Sequence, residues 1–467
     1  MMGGLSVSYK FNSKGFRVHL ASDSFKEKFT IQYPEEIWRS FPRRIRKTIT
    51  ENFVYLSTSS LASVMEEKHI DYEMNTPLLG SFFVKPLLYY IPFCSDEAQK
   101  DSLSILKQFM NTRYSFKSYN IRQPDYTAPV KDKAITLFTF GKDSLLSYAL
   151  AEEFGMDPVP VYIEEPDIKF KDSKREPTFE NKHKDILSKE FKHEFGKTVH
   201  KIKNNLGLTR HAGFFNKDQA ELSWGSDLSE FALLSLPFNH HFKARYIIYG
   251  NEASCSANYT NKDGFLANPV FDQSREWNVE LSKVLKLLTR NVSTVSLIEP
   301  IHDLLITFVL HNRYPQYAKY QTSCFAETRK AEQTRWCHAC SKCARVYMLL
   351  LANNIDPKNV GFKENMLTKA KKKHFSMFGS HKDMKPYDLC GLGRDEMVLA
   401  FYLAHKHGAK GYLMDEFRRT HLKEAEERKD SLIKEYYGIH DAMTLPKRLE
   451  KKVKAVFEEE RSKISFL

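Results

Sequence analysis

Ala134-Ile135-Thr136-Leu137-Phe138-Thr139-Phe140-Gly141-Lys142-Asp143-Ser144-Leu145-Leu146-Ser147-Tyr148-Ala149-Leu150-Ala151 is the stretch that decides the fold. Its first seven residues form an apolar run of strand length. Gly141 to Ser144 break that run. Leu145 to Phe154 then carry apolar residues at helical spacing, and Gly155 ends the helix. The turn between strand and helix has chemistry of its own. Gly141 permits a tight bend that a side chain would obstruct. Backbone N–H groups at the start of the following helix can hold an anion. Lys142 adds a positive charge, Ser144 a hydroxyl donor, and Asp143 a carboxylate that can orient the loop or reach magnesium. The Walker spacing Gly-x-x-x-x-Gly-Lys-Ser/Thr is absent.

Downstream the same alternation repeats. Val159–Ile163, Thr198–Ile202, Arg245–Gly250 and Ser293–Ile298 read as strands. Between and after them lie helical patterns at Glu180–Phe195 (capped by Gly196), Ser229–Phe242, Trp277–Leu288 and Asp303–Asn312. Pro237 predicts a kink or break in the second of these. Five strands alternating with helices predict an α/β fold with a doubly wound five-stranded parallel sheet. In such sheets ligands bind beyond the carboxyl ends of the strands, near the reversal of strand order. That places Gly141–Ser144, Glu164–Pro166, Asn251–Cys255 and Glu299–His302 around a common site.

Upstream, Leu5–Tyr9, Phe16–Leu20 and Phe29–Tyr33 alternate apolar and polar residues, as half-buried strands do. Pro34-Glu35-Glu36 opens a helix, and two or three helices are expected up to Met110. Residues 119–132, with Pro124 and Pro129, read as a linker. From Asp356 onward the chain is helical and strongly charged, as solvated helix faces are. Cys390-Gly391-Leu392-Gly393-Arg394-Asp395-Glu396 reads as a glycine turn before a helix, with anion binding at the helix start as the less favoured alternative. The expected organisation is a β-rich N-terminal α+β domain over 1–128, a nucleotide-binding domain over 129–318, and a zinc-binding helical part over 319–467.

The zinc expectation comes from cysteine spacing. Of seven cysteines, Cys324, Cys337, Cys340 and Cys343 cluster as Cys-x12-Cys-x2-Cys-x2-Cys. Four thiolates at short spacing suit a closed tetrahedral zinc site, with an iron–sulfur cluster as the rival. Cys94, Cys255 and Cys390 read as packing residues. A hydrophobic fraction of 42% excludes disorder as the main state. No basic-then-apolar start and no long apolar run are present, so neither a signal peptide nor a transmembrane helix is expected, and a reducing cytoplasm is the default. A net charge of +13 suits an anionic partner, whether nucleotide, phosphorylated substrate, nucleic acid or membrane surface. A non-enzymatic nucleic-acid-binding protein is the least favoured reading, because no recognition motif accompanies the charge.

Thr139-Phe140-Gly141-Lys142-Asp143-Ser144 resembles the pyrophosphatase-type loop of the adenine nucleotide alpha hydrolase superfamily. Thr139 replaces that loop's usual first Ser and Phe140 its usual first Gly, while the Gly-x-Asp-Ser core stands. The resemblance implies cleavage of ATP to AMP and pyrophosphate, with an adenylated intermediate. Together with the late cysteine motif, the segment from Ala134 to Ala352 is similar to 7-cyano-7-deazaguanine synthases, which make a nitrile from a carboxylate. Those enzymes are typically a single compact domain.

More of the chain resembles the UDP-N-acetylmuramoyl-L-alanyl-L-glutamate epimerases. The likeness lies in Phe140–Ser144, Glu164-Glu165-Pro166, Tyr249-Gly250-Asn251-Glu252, Ser296–Pro300, Trp336-Cys337-His338, Cys340–Arg345 and Gly391–Glu396. It implies ATP, Mg2+ and Zn2+ as cofactors and a UDP-linked muramoyl dipeptide as the anionic small-molecule substrate. The residues expected to bind the nucleotide are Thr139, Phe140, Gly141, Lys142, Asp143, Ser144 and Glu164, with Lys142, Asp143 and Glu252 in catalysis. The general base is open among Glu164, Glu165, Asp227, Glu252, Glu299 and His302. Trp224 and Trp336 could stack on a nucleotide base, though Trp is usually core.

Overall fold

A computed structural model describes residues 4–23, 25–61, 64, 68–121, 123–167, 178–215, 225–324, 326, 328–378 and 393–465. Twelve strands fall among them: β1 (Leu5–Asn12), β2 (Gly15–Ala21), β3 (Lys26–Gln32), β4 (His69–Asn75), β5 (Arg113–Ser118), β6 (Lys131–Leu137), β7 (Val159–Glu164), β8 (His200–Asn204), β9 (Ala244–Tyr249), β10 (Tyr259–Thr260), β11 (Leu266–Ala267) and β12 (Ser293–Ser296). Ten of them form one sheet in the order β12-β9-β6-β7-β8-β3-β2-β1-β4-β5.

The strands from β12 to β8 pair in parallel, and in chain order they stand as fifth, fourth, first, second and third. Strand order therefore reverses between β6 and β9, which opens a crevice at their carboxyl ends. The helices Lys142–Glu153, Glu180–Phe195 and Asp303–Arg313 contribute their apolar residues to one core, with Ala134, Phe138 and Ile248 from the sheet. Asp227–Phe242 and Arg275–Thr289 pack on the other face, against Ile135, Ile247 and the N-terminal helices Glu35–Ser40 and Arg43–Thr58. Both faces of the central strands are thus covered, which is why β6 and β9 read as near-continuous apolar runs. The helices Ser341–Ala352, Arg394–Lys406 and Lys447–Arg461 add to the first face.

The sheet is larger than the five strands expected. Alone, β8 would end the parallel block with unpaired backbone groups, an edge open to pairing. Here β3 pairs with it antiparallel, at Ile31 with Asn204 and Gln32 with Lys203, so the N-terminal strands continue the same sheet. Strand β4 also departs from the helices expected before Met110. In β4, Ile70, Tyr72 and Met74 face the core at alternate positions while Asp71 and Glu73 face solvent. The helix Asp227–Phe242 is continuous through Pro237 rather than broken. Leu233, Leu234, Leu236, Pro237, Phe238 and Asn239 are all buried, and that packing holds a turn that has lost one N–H donor. Gly155 and Gly196 do have the positive φ expected of helix-ending glycines. Among the described residues no helix is long and apolar enough to cross a membrane.

Candidate active site

The loop after β6 closes on itself. Thr139 N–H donates to Ser144 Oγ at 3.2 Å, and Ser144 Oγ–H donates to the Gly141 carbonyl at 3.0 Å. The strained residue is not Gly141, whose φ is −69° and whose added Cβ would only touch Thr139 Oγ1 at 3.4 Å. It is Phe140, at φ +61°, in the left-handed region that costs an L-residue roughly 1–2 kcal/mol. The Phe140 ring is buried against Phe138 and Phe191, which anchors that conformation. Another glycine is sterically required. A Cβ on Gly250, just past β9, would stand 2.7 Å from Asp143 Cβ, so the end of β9 can approach the loop only without a side chain.

Lys142 is buried, and its Nζ lies 2.6 Å from Asp143 Oδ1 and 2.6 Å from Asp303 Oδ1. Asp303 is fully buried at the first turn of its helix, where the helix dipole favours a carboxylate. It accepts from Arg345 Nε at 2.8 Å, and Arg345 Nη2 also donates to it. Burial works against the Asp303 carboxylate, but Arg345 and Lys142 outweigh it and hold the carboxyl well below the usual range. Burial likewise opposes the Lys142 ammonium, and Asp143 and Asp303 hold its pKa above the ordinary value. The outcome is a chain of alternating charges, Asp143–Lys142–Asp303–Arg345, whose two inner members are buried and whose two ends are half-buried.

Two further buried carboxyls adjoin it. Glu252, in the turn after β9, accepts from Ser254 N–H at 2.6 Å and from the Ser254 hydroxyl, and the Cys255 thiol lies 3.5 Å away. Burial, and then the charge of Asp303, push the Glu252 carboxyl up to about 7. Glu396 accepts from Leu304 N–H at 2.9 Å, and its Oε2 makes no hydrogen bond among the described residues. Burial, followed by the charges of Asp303 and Glu252, raises it well above the carboxylate range. A cavity of about 880 Å³ opens beside these groups, lined by Ser254, His302, Arg394, Glu396, Glu435 and His440 among others. It lies outside the carboxyl ends of β9 and β12, next to the reversal of strand order, where doubly wound sheets bind ligands.

Lys142, Asp143 and Glu252 are therefore brought together. The other base candidates are placed apart from this cluster or committed elsewhere. Glu164 pairs with Lys201 at 2.6 Å, and Glu165 pairs with Arg210 and accepts from Asn204 Nδ2 at 3.0 Å. Glu299 accepts from Met443 N–H at 2.7 Å and Thr444 N–H at 3.0 Å, so it ties down the segment before the last helix. Asp227 neighbours Asp272, whose carboxyl is raised first by burial and then by that charge. His302 does face the cluster, with Nδ1 3.8 Å from Glu252 Oε2. Trp336 is core rather than a stacking platform: it is buried, stacked on Phe362, and donates to the Val360 carbonyl at 2.7 Å. Trp224, Cys390, Gly391 and Leu392 lie outside the described residues. The cavity lining carries charges of both signs. Its lining has Arg275 and Arg394 against Glu276, Asp395, Glu396 and Glu435, and Arg394 is itself paired with Glu424 at 2.6 Å. Asp303, Arg345 and Glu396 were not singled out as site residues by sequence reasoning. The available signals were an acid opening the helix after the fifth strand, and the Cys-Ala-Arg and Arg-Asp-Glu triplets.

The four clustered cysteines are buried, and their sulfurs lie within 4.8 Å of one another. Individual Sγ–Sγ distances are 3.5 Å (Cys340–Cys343 and Cys324–Cys343) and 3.8 Å (Cys337–Cys343). A tetrahedral ion with Zn–S bonds near 2.3 Å sets its sulfurs about 3.8 Å apart, so the set fits one ion. A polynuclear cluster puts thiolates on separate irons and needs them farther apart. Backbone N–H groups of Ala326, Cys337, Ala339 and Cys343 point at the sulfurs at 3.2–3.4 Å, which favours thiolates. An all-thiolate tetrahedral donor set of this kind could bind zinc.

A family model described as the MurL C-terminal domain matches residues 321–432. The matched segment includes the four cysteines, Arg345 and Glu396. No curated protein and no solved structure matches the chain.

Proposed function

We propose that this chain is an ATP-dependent epimerase that inverts the terminal L-glutamate of a UDP-N-acetylmuramoyl-L-alanyl-L-glutamate-like precursor. The observation that carries the reading is the match of residues 321–432 to the MurL C-terminal domain, because that segment supplies Arg345 and Glu396 to the buried cluster. The loop Thr139–Ser144 fits the pyrophosphatase type of the nucleotide alpha hydrolases, and would receive the phosphates of ATP with Mg2+ near Asp143. A glutamate α-proton is weakly acidic while the neighbouring carboxylate keeps its charge. Attack of that carboxylate oxygen on the α-phosphorus expels pyrophosphate and leaves an acyl adenylate, whose carbonyl withdraws electrons. A base can then take the proton. Return of a proton to the opposite face inverts the centre, and water releases AMP and the carboxylate.

Lys142 would meet phosphate charge, with Asp303 and Arg345 fixing its position. Glu252 is the proposed base on geometric grounds: it is buried in the turn after β9, next to Ser254 and His302, which line the cavity. Glu164 is kept as a nucleotide contact only if its pairing with Lys201 opens on binding. The cysteine site would hold zinc as a structural clip.

The test is incubation with ATP, Mg2+ and the UDP-muramoyl dipeptide, read by chiral analysis of the glutamate and by pyrophosphate release. D-glutamate should accumulate with wild type and fall by ~10²-fold or more with Glu252→Gln, while Ser144→Ala suppresses pyrophosphate release. Inversion without ATP, or folded Ser144→Ala releasing pyrophosphate at the wild-type rate, would overturn the reading.

A further inference from the structure

We propose that His302, Glu435 and His440 form a second metal site, for a zinc-class divalent transition ion, at the wall of the 880 Å³ cavity. It is separate from the four cysteines and does not depend on the epimerase reading. One ligand atom from each of the three side chains falls within 4.8 Å of the others. Zinc bonds of about 2.0–2.1 Å to nitrogen and oxygen place tetrahedral ligand atoms about 3.4 Å apart. His302 Nε2 and Glu435 Oε1 already stand 3.5 Å apart. The rings of His302 and His440 meet edge to face, at 87° with centroids 4.9 Å apart.

The hydrogen bonding leaves the needed lone pairs available. His440 Nε2 lies 2.9 Å from the Glu435 carbonyl, which can only accept, so Nε2 carries the proton and Nδ1 keeps its lone pair. His302 is only 6% exposed, and its Nδ1 makes no hydrogen bond among the described residues. That nitrogen faces Glu252 Oε2 at 3.8 Å. A proton on Nδ1 directed at a carboxylate, with Nε2 left for the ion, is the arrangement that commonly orients metal-bound histidine. Two imidazoles and one carboxylate suit zinc and its first-row neighbours better than magnesium. Three protein ligands leave a fourth position open to the cavity, where a carboxylate or phosphate oxygen can bind. Four carboxylic side chains line that cavity against two arginines, so an anionic ligand there needs such a cation.

The full-length protein is loaded with excess Zn2+, dialysed and counted by elemental analysis. His440→Ala and Glu435→Gln should each carry about one equivalent less than wild type, whatever the cysteines hold. Both side chains lie near the surface, so these variants keep the fold, checked by circular dichroism. Co2+ loading should give visible ligand-field bands that weaken in His440→Ala while the near-ultraviolet thiolate bands of the sulfur site stay unchanged. Equal zinc content in wild type and both variants, or Co2+ bands unchanged in His440→Ala, would overturn the site.

Discussion

Asp303→Asn tests the charge chain directly. The substitution keeps shape and one acceptor oxygen but removes the negative charge between Lys142 and Arg345. Removing one partner of a buried pair costs about 3–5 kcal/mol, because the remaining charge has lost both water and counter-charge. Two features place this case near the low end. Lys142 keeps Asp143 at 2.6 Å, and the amide oxygen still accepts from one cation. A third effect offsets part of the loss: the charge of Asp303 bears unfavourably on Glu252 and Glu396, and the variant removes that repulsion. The expected net cost is therefore about 2–3 kcal/mol at neutral pH. Urea unfolding followed by tryptophan fluorescence measures it, with Asp157→Asn as the comparison. Asp157 is about half exposed and pairs with Lys133 at 2.5 Å, so its loss should cost under ~1 kcal/mol. If Asp303→Asn cost no more than Asp157→Asn, the cluster would not behave as a buried network, and the fixing of Lys142 would have to come from elsewhere.

Gly250→Ala should displace the phosphate loop, since the new Cβ would stand 2.7 Å from Asp143 Cβ and 3.3 Å from its carbonyl carbon. Pyrophosphate release should fall by ~10²-fold while circular dichroism stays unchanged, the scale set by misplacing a reacting group by about 1 Å. Cys343→Ser removes the sulfur that lies within 3.8 Å of the other three, so zinc content should drop by about one equivalent and the segment before Ser341–Ala352 should become sensitive to limited proteolysis.

The strand–loop–helix at 131–153, the five parallel strands and the cysteine set were legible because each rests on local pattern: apolar run length, helical spacing and ligand spacing. What was not legible depends on pairing between distant segments. The joining of β3 to β8 rests on two residue pairs that no local pattern marks. Strand β4 carried a visible alternation at Ile70, Tyr72 and Met74, but its short length between helices hid it. The loop's strain was also misplaced by one residue. Glycine at 141 suggested the tight bend, whereas the fold puts the positive φ on Phe140 because its ring is needed against Phe138 and Phe191. Burying an aromatic side chain is worth about 3–5 kcal/mol and outweighs a left-handed conformation at roughly 1–2 kcal/mol. A residue opposed by local propensity is therefore retained by the core. The net charge of +13 belongs to the whole chain, whereas the cavity lining sets Arg275 and Arg394 beside Glu276, Asp395, Glu396 and Glu435.

The cysteine set and the charge chain are mechanically one unit. Cys340 caps the Ser341–Ala352 helix, its sulfur accepting from Cys343 N–H at 3.4 Å, and Arg345 opens the second turn of that helix, two residues beyond Cys343. An ion held by the four sulfurs would thus fix the helix start, and with it the guanidinium that grips Asp303, which in turn holds Lys142 beside the loop. The matched segment 321–432 begins just before this unit and also supplies Glu396, so one contiguous piece of chain contributes both the clip and part of the cavity wall. The turns after β6, β9 and β12 contribute Lys142, Glu252 and His302, and Glu435 and His440, beyond the matched segment, complete that side of the wall. Neither part holds a complete site: without Arg345, Asp303 would be buried facing Lys142 alone, and without the β9 turn Glu396 would have no Glu252 beside it. A metal held by the four sulfurs would therefore act on the loop after β6 through three side chains rather than through the chemistry of the ion.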